Sequence, residues 1–165
     1  IGGESAGAHL SAVTLLRLRD RYIADRFCGA NLVYGMYDLA LTDFARAWGE
    51  RNLILNTEIC RWSVEQMTPG WSKDKLRDPG LSPMYADLAG LPPVLFTCGT
   101  DDPTLHDSLG LHERWQAANN NATLEIYEHG FHAFNLFPSK LADVSNRAQE
   151  RFIQNWVKGP THASH

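Results

Sequence analysis

A serine between two glycines lies near the start of the chain, in the sequence GESAG at residues 3–7. In a G-x-S-x-G turn between a strand and a helix, a strained backbone exposes the serine hydroxyl, which can then act as a nucleophile. We expect both glycines to be required, because a side chain at either position would collide with a neighbouring element. The same residues also fit an ordinary helix start with Ser5 as the N-cap, so the motif alone leaves both interpretations open.

Acidic residues and histidines follow two later stretches that are predicted to be strands. Asp101 and Asp102 stand directly before a proline, and His129 and His132 lie in the sequence EHGFHAF. Serine, aspartate and histidine in this chain order, each on a turn at the carboxyl edge of one parallel sheet, are the groups that nucleophilic acyl transfer requires. Spacing alone does not choose between the two aspartates or between the two histidines.

Alternating helices and strands would bring these residues to one edge of a sheet. The predicted order is a turn (residues 1–7), a helix (5–20), a buried strand (27–35), a long excursion (36–79), a strand (94–98), a helix (105–118), a strand (123–127) and a helix (143–157). Gly159 and Pro160 are expected to end the last helix. This alternation predicts an α/β fold with parallel strands and helices on both faces, and active sites of such sheets lie at the carboxyl ends of the strands.

The composition of the 165-residue chain is that of one globular domain. Apolar residues make up 44% and charged residues 21%, and the formal net charge is −4. A mildly acidic chain without a basic run argues against binding of nucleic acid or of an anionic membrane, and no stretch is suited to span a bilayer. Three widely spaced cysteines indicate neither a disulfide framework nor a zinc site, and we expect no metal and no cofactor. Reduced thiols and the lack of a signal peptide favour a cytoplasmic location.

Four stretches make the chain resemble the C-terminal part of an α/β-hydrolase of the hormone-sensitive-lipase-like esterase and lipase family. They are residues 3–7 (GESAG), residues 81–88 with 91–93 (LSPMYADL and LPP), residues 99–103 (GTDDP) and residues 131–134 (FHAF). The resemblance covers nearly the whole chain and is loosest over residues 36–78. It implies a serine carboxylesterase that hydrolyses short-chain acyl esters through an acyl-enzyme.

Catalytic roles are implied by the positions that match the family. Ser5 is implied as the nucleophile, and His132 as the base that takes its proton and later gives it to the leaving group. Asp102 is implied as the acid that orients and stabilises the imidazolium. The backbone N–H of Ala6 is implied as one oxyanion donor.

The resemblance also separates the neighbouring candidates. The family places its acid directly before proline, which favours Asp102 over Asp101. The length of the family's histidine loop favours His132, and His129 is then a solvated loop residue.

Other polar residues near these motifs are expected to have no chemical role. Glu4 stands where the family often has an aspartate, and we assign it a structural role. His9 is also expected to be structural, and His106 and Asp107 are expected at the surface or at a helix cap. Residues 36–79 are predicted to be a cap- or lid-like excursion within one partial domain, residues 1–165, and to shape the binding pocket.

The family carries a histidine–glycine–glycine loop before its nucleophile, which supplies further oxyanion N–H groups, and this sequence has no such motif. Only three core strands are predicted, so we interpret the chain as a C-terminal fragment with negligible activity on its own. The apolar edge of residues 27–35 is expected to be unpaired and to cause self-association or association with an N-terminal half. Without its neighbours, Ser5 is expected to relax out of the ~3 Å reach of His132.

Two other functions fit the same residues. An arylformamidase-like amidohydrolase also carries the pattern G-x-S-A-G-A-H-L, which residues 3–10 match. A non-catalytic module would use this chain only as a complementing part of an assembly. Hydrolysis of p-nitrophenyl acetate distinguishes a catalytic chain from a non-catalytic one, and N-formylkynurenine distinguishes the two hydrolases.

Overall fold

A four-stranded parallel sheet lies at the centre of the computed structural model, which describes residues 1–21, 26–51 and 53–157. The strands stand side by side in chain order: β1 (Gly2–Glu4), β2 (Ala30–Val33), β3 (Val94–Asp101) and β4 (Ala122–Phe131). The α-helices of the described residues are α1 (Ala6–Arg19), α2 (Asp43–Ala47), α3 (Thr57–Met67), α4 (Lys73–Leu76), α5 (Leu105–Ala117) and α6 (Lys140–Val157). All three strand pairings are parallel, so the predicted α/β architecture is confirmed and the carboxyl ends share one edge.

Helices cover both faces of this sheet because side chains alternate along each strand. Leu32 and Phe96 point to the face on which α1 and α5 pack, and Trp115 of α5 lies edge-on to Phe96 with ring centroids 5.8 Å apart. The opposite face meets α6, where the Asn31 side chain donates a hydrogen bond to Gln149 Oε1 (2.9 Å). The main apolar core therefore lies between the sheet and the α1–α5 layer.

Capping side chains define where two of the helices begin. Asn56 caps α3 by accepting a hydrogen bond from the N–H of Ile59 (2.9 Å). The last helix begins three residues earlier than predicted, where Ser139 Oγ accepts from the N–H of Ala142 (3.1 Å). Its predicted stop at residues 159–160 lies outside the described residues. None of the described helices combines the length and the apolar character needed to cross a bilayer.

The pairing of β2 differs from the sequence-based expectation. β2 is shorter than the predicted stretch 27–35, and it is paired with β1 on one side and with β3 on the other. The expectation of an unpaired edge there is wrong, because residues 2–4 are enough to form a ladder. The N-terminal ammonium extends that ladder by donating to the carbonyl of Gly29 (3.1 Å). Within the described residues, the outer strands of the sheet are β1 and β4.

The excursion between β2 and β3 contains α2, α3 and α4 and has an apolar cluster of its own. Its buried members are Leu39, Leu41, Ala45, Cys60 and Val64. Ser82, in the LSPMYADL stretch, anchors this segment by accepting from the N–H of Leu39 (2.8 Å) and donating to the carbonyl of Leu76 (2.6 Å). This stretch therefore has a structural function, which is to attach the excursion to the sheet domain.

Candidate active site

Ser5 occupies the single residue between the end of β1 and the start of α1. Its backbone has φ 52° and ψ −118°, a conformation that is costly for a residue other than glycine. A hydrogen bond from its N–H to the carbonyl of Val33 (2.9 Å) holds the turn against β2. The Ser5 hydroxyl makes no capping bond to the first turn of α1, so the ordinary N-cap interpretation does not describe this turn.

The two glycines of the GESAG motif have different requirements. A Cβ atom added to Gly3 would overlap the backbone of Gly7, so no side chain fits at Gly3. A Cβ atom added to Gly7 would have no described atom within 4 Å. The expectation that both glycines are sterically required is therefore correct for Gly3 and wrong for Gly7, because Gly7 faces open space.

The structure brings Ser5, His132 and Asp102 together in one line. His132 Nε2 lies 2.8 Å from Ser5 Oγ, and His132 Nδ1 lies 2.8 Å from Asp102 Oδ2. A carboxylate can only accept, so Nδ1 donates to Asp102 and Nε2 is left to accept from the serine hydroxyl. The expectation that Ser5 moves out of reach of His132 is wrong for this structure, because the pairing of β1 with β2 holds the elbow in place.

Burial and a second acceptor contact fix the orientation of the acid. Asp102 is 0% exposed and His132 is 5% exposed. The other carboxylate oxygen, Oδ1, accepts from the backbone N–H of Thr104 (2.8 Å) and lies 2.8 Å from Thr104 Oγ1. These contacts leave Asp102 Oδ2 directed at the imidazole.

Two glycines that sequence reasoning did not single out allow the acid and the base to meet. Gly99 of β3 and Gly130 of β4 approach so closely that a Cβ atom on Gly99 would overlap the carbonyl of Gly130. The ladder shifts register here, after the pair Gly99 and Tyr127, and resumes at Asp101 and Phe131. A glycine at matching places near the ends of two strands was the available signal, since close backbone approach needs glycine.

The alternative candidates lie elsewhere, on the protein surface. Asp101 Oδ1 is 3.3 Å from the guanidinium of Arg51, and Asp101 Oδ2 is 3.5 Å from His129 Nδ1. The His129 side chain is 81% exposed. Neither residue is placed against Ser5, so the structure pairs Asp101 with His129 and Asp102 with His132.

The N-terminus of α1 supplies a hydrogen-bond donor beside the serine. Ala6 is the first residue of α1, so no preceding helical turn can accept a hydrogen bond from its N–H. The positive end of the helix dipole also favours negative charge at this point. This arrangement is suited to an oxyanion that forms next to Ser5.

A cleft beside Ser5 is walled mainly by the excursion. It encloses about 520 Å³ of free space, part of which is open to solvent. Its lining comprises Ser5, Ala6, His9, Met36, Leu39, Leu55, Ser63, Val64, Met67 and Thr104. Most of the side chains contributed by the excursion are apolar, so the cleft suits an apolar group next to the serine hydroxyl.

His9 and Glu4, both expected to be structural, make specific polar contacts. His9 is buried, and its Nε2–H donates to the carbonyl of Leu81 (2.7 Å), which ties α1 to the LSPMYADL stretch. Burial lowers the pKa of His9, so the neutral imidazole is favoured. Glu4 Oε1 accepts from the side chain of Asn135 (2.7 Å), which links β1 to the turn after β4.

The expectation of a surface or cap position holds for His106 and is wrong for Asp107. His106 is exposed and stacks on Phe44, with ring centroids 4.1 Å apart. Asp107 is fully buried, and its Oδ1 accepts from the N–H groups of Tyr37 (2.7 Å) and Asp38 (2.8 Å). Burial raises the pKa of Asp107 to about 7. Its position on α5, facing the loop that leaves β2, explains why it is inside.

Comparison with known proteins agrees with this geometry. A model of the α/β-hydrolase fold matches residues 1–136. An esterase of Acinetobacter venetianus is 28% identical, over 83% of this chain and 45% of its own length. An acetyl esterase of Salmonella paratyphi B is 28% identical, over 96% of this chain and 50% of its own. The crystal structure of a hormone-sensitive lipase from a metagenome library has a TM-score of 0.81 at 27% identity, covering 93% of this chain and 51% of that one.

The chain belongs to the α/β-hydrolase fold family, in the group related to hormone-sensitive lipase. The resemblance drawn from the sequence motifs is thereby confirmed. The chain spans about half the length of the curated relatives that it matches.

Proposed function

We propose that this chain carries the nucleophile, acid and base of a serine carboxylesterase that works through an acyl-enzyme. The observation that supports the proposal most directly is the continuous line from Ser5 through His132 to Asp102, with both N–O distances at 2.8 Å. A strained elbow, a free helix N-terminus and a buried acid are the features that such chemistry needs in addition.

In the proposed mechanism, Ser5 Oγ attacks the ester carbonyl while His132 Nε2 takes the hydroxyl proton. The carbonyl oxygen becomes an oxyanion, which the N–H of Ala6 and the α1 dipole stabilise. When the C–O bond of the ester breaks, His132 returns the proton to the departing alkoxide and an acyl-serine remains. A water molecule then repeats the sequence, which releases the carboxylic acid and regenerates Ser5. Asp102 stabilises the imidazolium in both halves.

The substrate class follows from the cleft and from the names of the relatives. Apolar side chains of the excursion stand beside Ser5, and they would receive the hydrocarbon part of a small ester. The Salmonella relative is named an acetyl esterase, which agrees with a short acyl group. We therefore propose short-chain acyl esters as substrates and residues 36–79 as the cap-like segment that receives them.

Labelling of Ser5 by a fluorophosphonate is the primary test, because sequence reasoning predicts negligible turnover by this chain alone. The chain should incorporate one phosphonate at Ser5, and Ser5→Ala and His132→Ala should abolish or strongly slow this reaction. His129→Ala is the matched control and should label at the native rate. Labelling that does not depend on Ser5 or His132 would contradict the proposal and support a non-catalytic module.

Turnover measurements then separate the two hydrolase classes. Any activity of the chain should be higher on p-nitrophenyl acetate and butyrate than on N-formylkynurenine. Faster hydrolysis of N-formylkynurenine would instead identify an amidohydrolase that uses the same three residues.

We also propose that the outer edge of β1 pairs with another strand, either from a second copy or from an N-terminal half. The support is that β1 is an outer strand of the sheet and carries backbone groups able to extend it. Size-exclusion chromatography with light scattering should then show a species larger than 18.5 kDa. A monomer at all concentrations, unchanged by an added N-terminal half, would contradict this association.

A further inference from the structure

A hydrogen-bonded network of three side chains, hereafter the tyrosine network, lies beside the imidazole of His132. It consists of Tyr34, Asn135 and Glu4. The Tyr34 ring packs against His132 with centroids 4.7 Å apart and planes inclined at 59°. The Tyr34 hydroxyl donates to Asn135 Oδ1 (2.6 Å), and Asn135 Nδ2 donates to Glu4 Oε1 (2.7 Å). The network therefore joins β1, the loop after β2 and the turn after β4.

The network reaches each of the segments that hold the candidate active site. Glu4 immediately precedes the nucleophile, and Asn135 lies in the turn that follows the histidine. The carbonyl of Tyr34 is 3.3 Å from Thr104 Oγ1, and the Thr104 hydroxyl in turn lies 2.8 Å from Asp102 Oδ1. Tyr34 therefore contacts the imidazole directly, and its other contacts lead to the acid and to the nucleophile.

The backbone and the protonation state of Tyr34 suit a fixed donor. Tyr34 has φ 38°, which is unfavourable for a residue with a side chain, and its N–H donates to the carbonyl of Thr97 (2.7 Å). Burial and the nearby carboxylate of Glu4 raise the pKa of Tyr34 far above its ordinary value. The hydroxyl therefore stays protonated and remains a donor to Asn135 across the pH range of the enzyme chemistry.

We propose that the tyrosine network positions the imidazole of His132 for its proton transfers with Ser5. An imidazole can rotate about its side-chain torsions, and a misplacement of about 1 Å can cost roughly a hundredfold in rate. Packing on one ring face and a hydrogen-bonded link between the flanking turns restrict that rotation. These three side chains touch no substrate in the proposed mechanism, so they act through His132. This inference rests on the proposed function.

Tyr34→Phe tests the proposal because it keeps the ring beside His132 and removes the donor to Asn135. The matched control is Tyr85→Phe, which removes a hydroxyl that donates to Asp38 Oδ2 (2.9 Å). We expect the rate constant for phosphonate labelling of Ser5 to fall roughly tenfold to a hundredfold in Tyr34→Phe and to change less than about twofold in the control. Where ester turnover is measurable, kcat should fall by a similar factor and KM should stay the same.

The proton resonance of His132 Nδ1–H, bonded to Asp102, provides a signal that a merely structural role would not move. In Tyr34→Phe this downfield resonance should shift or broaden, while urea unfolding shows a stability close to that of Tyr85→Phe. Equal losses of labelling in both tyrosine variants would overturn the proposal, because general destabilisation would then explain them.

Glu4 provides a second pair of variants in case Tyr34→Phe does not fold. Glu4→Gln keeps an oxygen that accepts from Asn135 and should retain most of the labelling rate, whereas Glu4→Ala should lose it. Native labelling rates in folded Tyr34→Phe and Glu4→Ala would overturn the positioning role. If His132→Ala also labels at the native rate, the proposed function itself fails; if only the network variants do, the proposed function stands without the network.

Discussion

Two aspartate–histidine pairs stand at the carboxyl ends of β3 and β4, and they are built from neighbouring residues. Asp102 and His132 are buried and joined at 2.8 Å, and the imidazole continues to Ser5. Asp101 and His129 are 3.5 Å apart, and the histidine side chain is 81% exposed. The two pairs therefore consist of the same residue types but have very different surroundings.

The surroundings separate the two pairs in a way that residue type cannot. The His129 side chain is exposed, so water competes for its contact with Asp101, and an exposed pair of this kind contributes about 0–1 kcal/mol and holds neither side chain firmly. Asp102 is fully buried and is held by two contacts with Thr104. A histidine becomes a candidate base when a fixed acid lies on one side of the ring and a nucleophile on the other.

The largest expected effect is the difference between the alanine variants of the two histidines. His132→Ala should lower the rate of Ser5 phosphonylation and any ester turnover by at least about 10³-fold, because it removes the imidazole that lies 2.8 Å from the serine hydroxyl and can take its proton. His129→Ala should leave both rates near those of the native chain. Loss in His129→Ala with retention in His132→Ala would reverse the comparison.

The aspartates should repeat the contrast. Asp102→Asn should lower the same rates by about 10³–10⁴-fold, because an amide no longer selects the tautomer in which His132 Nε2 accepts. Asp101→Asn serves as the matched control, with rates expected within about twofold of native. Comparable losses in the two variants would show that the separation of the pairs has no chemical meaning.

Asp107 adds a third acid, and it is fully buried. Its pKa is raised from its ordinary 3.8 to about 7, so the folded state holds a proton that the unfolded state has lost between these pH values. The unfolded chain binds fewer protons there, so this group makes stability fall as pH rises from about 4 through about 7.

Asp107→Asn should remove that part of the pH dependence, because the amide oxygen can still accept from Tyr37 and Asp38. Urea unfolding measures the free energy of unfolding at about pH 5 and pH 7.5, and the change between these two pH values should differ by on the order of 1–3 kcal/mol between the native chain and the variant. A variant with the native pH dependence would show that Asp107 is ionised throughout. Asp101→Asn again serves as the control.

The smallest effect is expected at the surface ion pair of Asp101 with Arg51. The two side chains are 29% and 54% exposed, and their closest atoms are 3.3 Å apart. A double-mutant cycle with Asp101→Asn and Arg51→Ala should give a coupling of at most about 1 kcal/mol, which added salt reduces. A larger, salt-independent coupling would indicate that this pair is shielded from water in the same way as the buried pair of Asp102 and His132.

Local patterns in the sequence were sufficient to predict much of this protein. The glycine-flanked serine, the alternation of strands and helices and the helix boundaries all depend on neighbours within a few residues, which the sequence displays directly. A serine at the start of a helix and the parallel α/β sheet followed from them, and both are present in the structure. The choice of His132 came from resemblance to a family and not from these patterns.

Contacts between segments far apart in the chain were decided only by the tertiary structure. The overlap of Gly99 with Gly130, the burial of Asp107 and the open space at Gly7 depend on how whole elements approach each other. The same holds for the tyrosine network, whose members are about 30 to 130 positions apart in the sequence. Residue type limits what each side chain can donate or accept, but the packing of the sheet and its helices determines which partner it reaches and whether water competes for it.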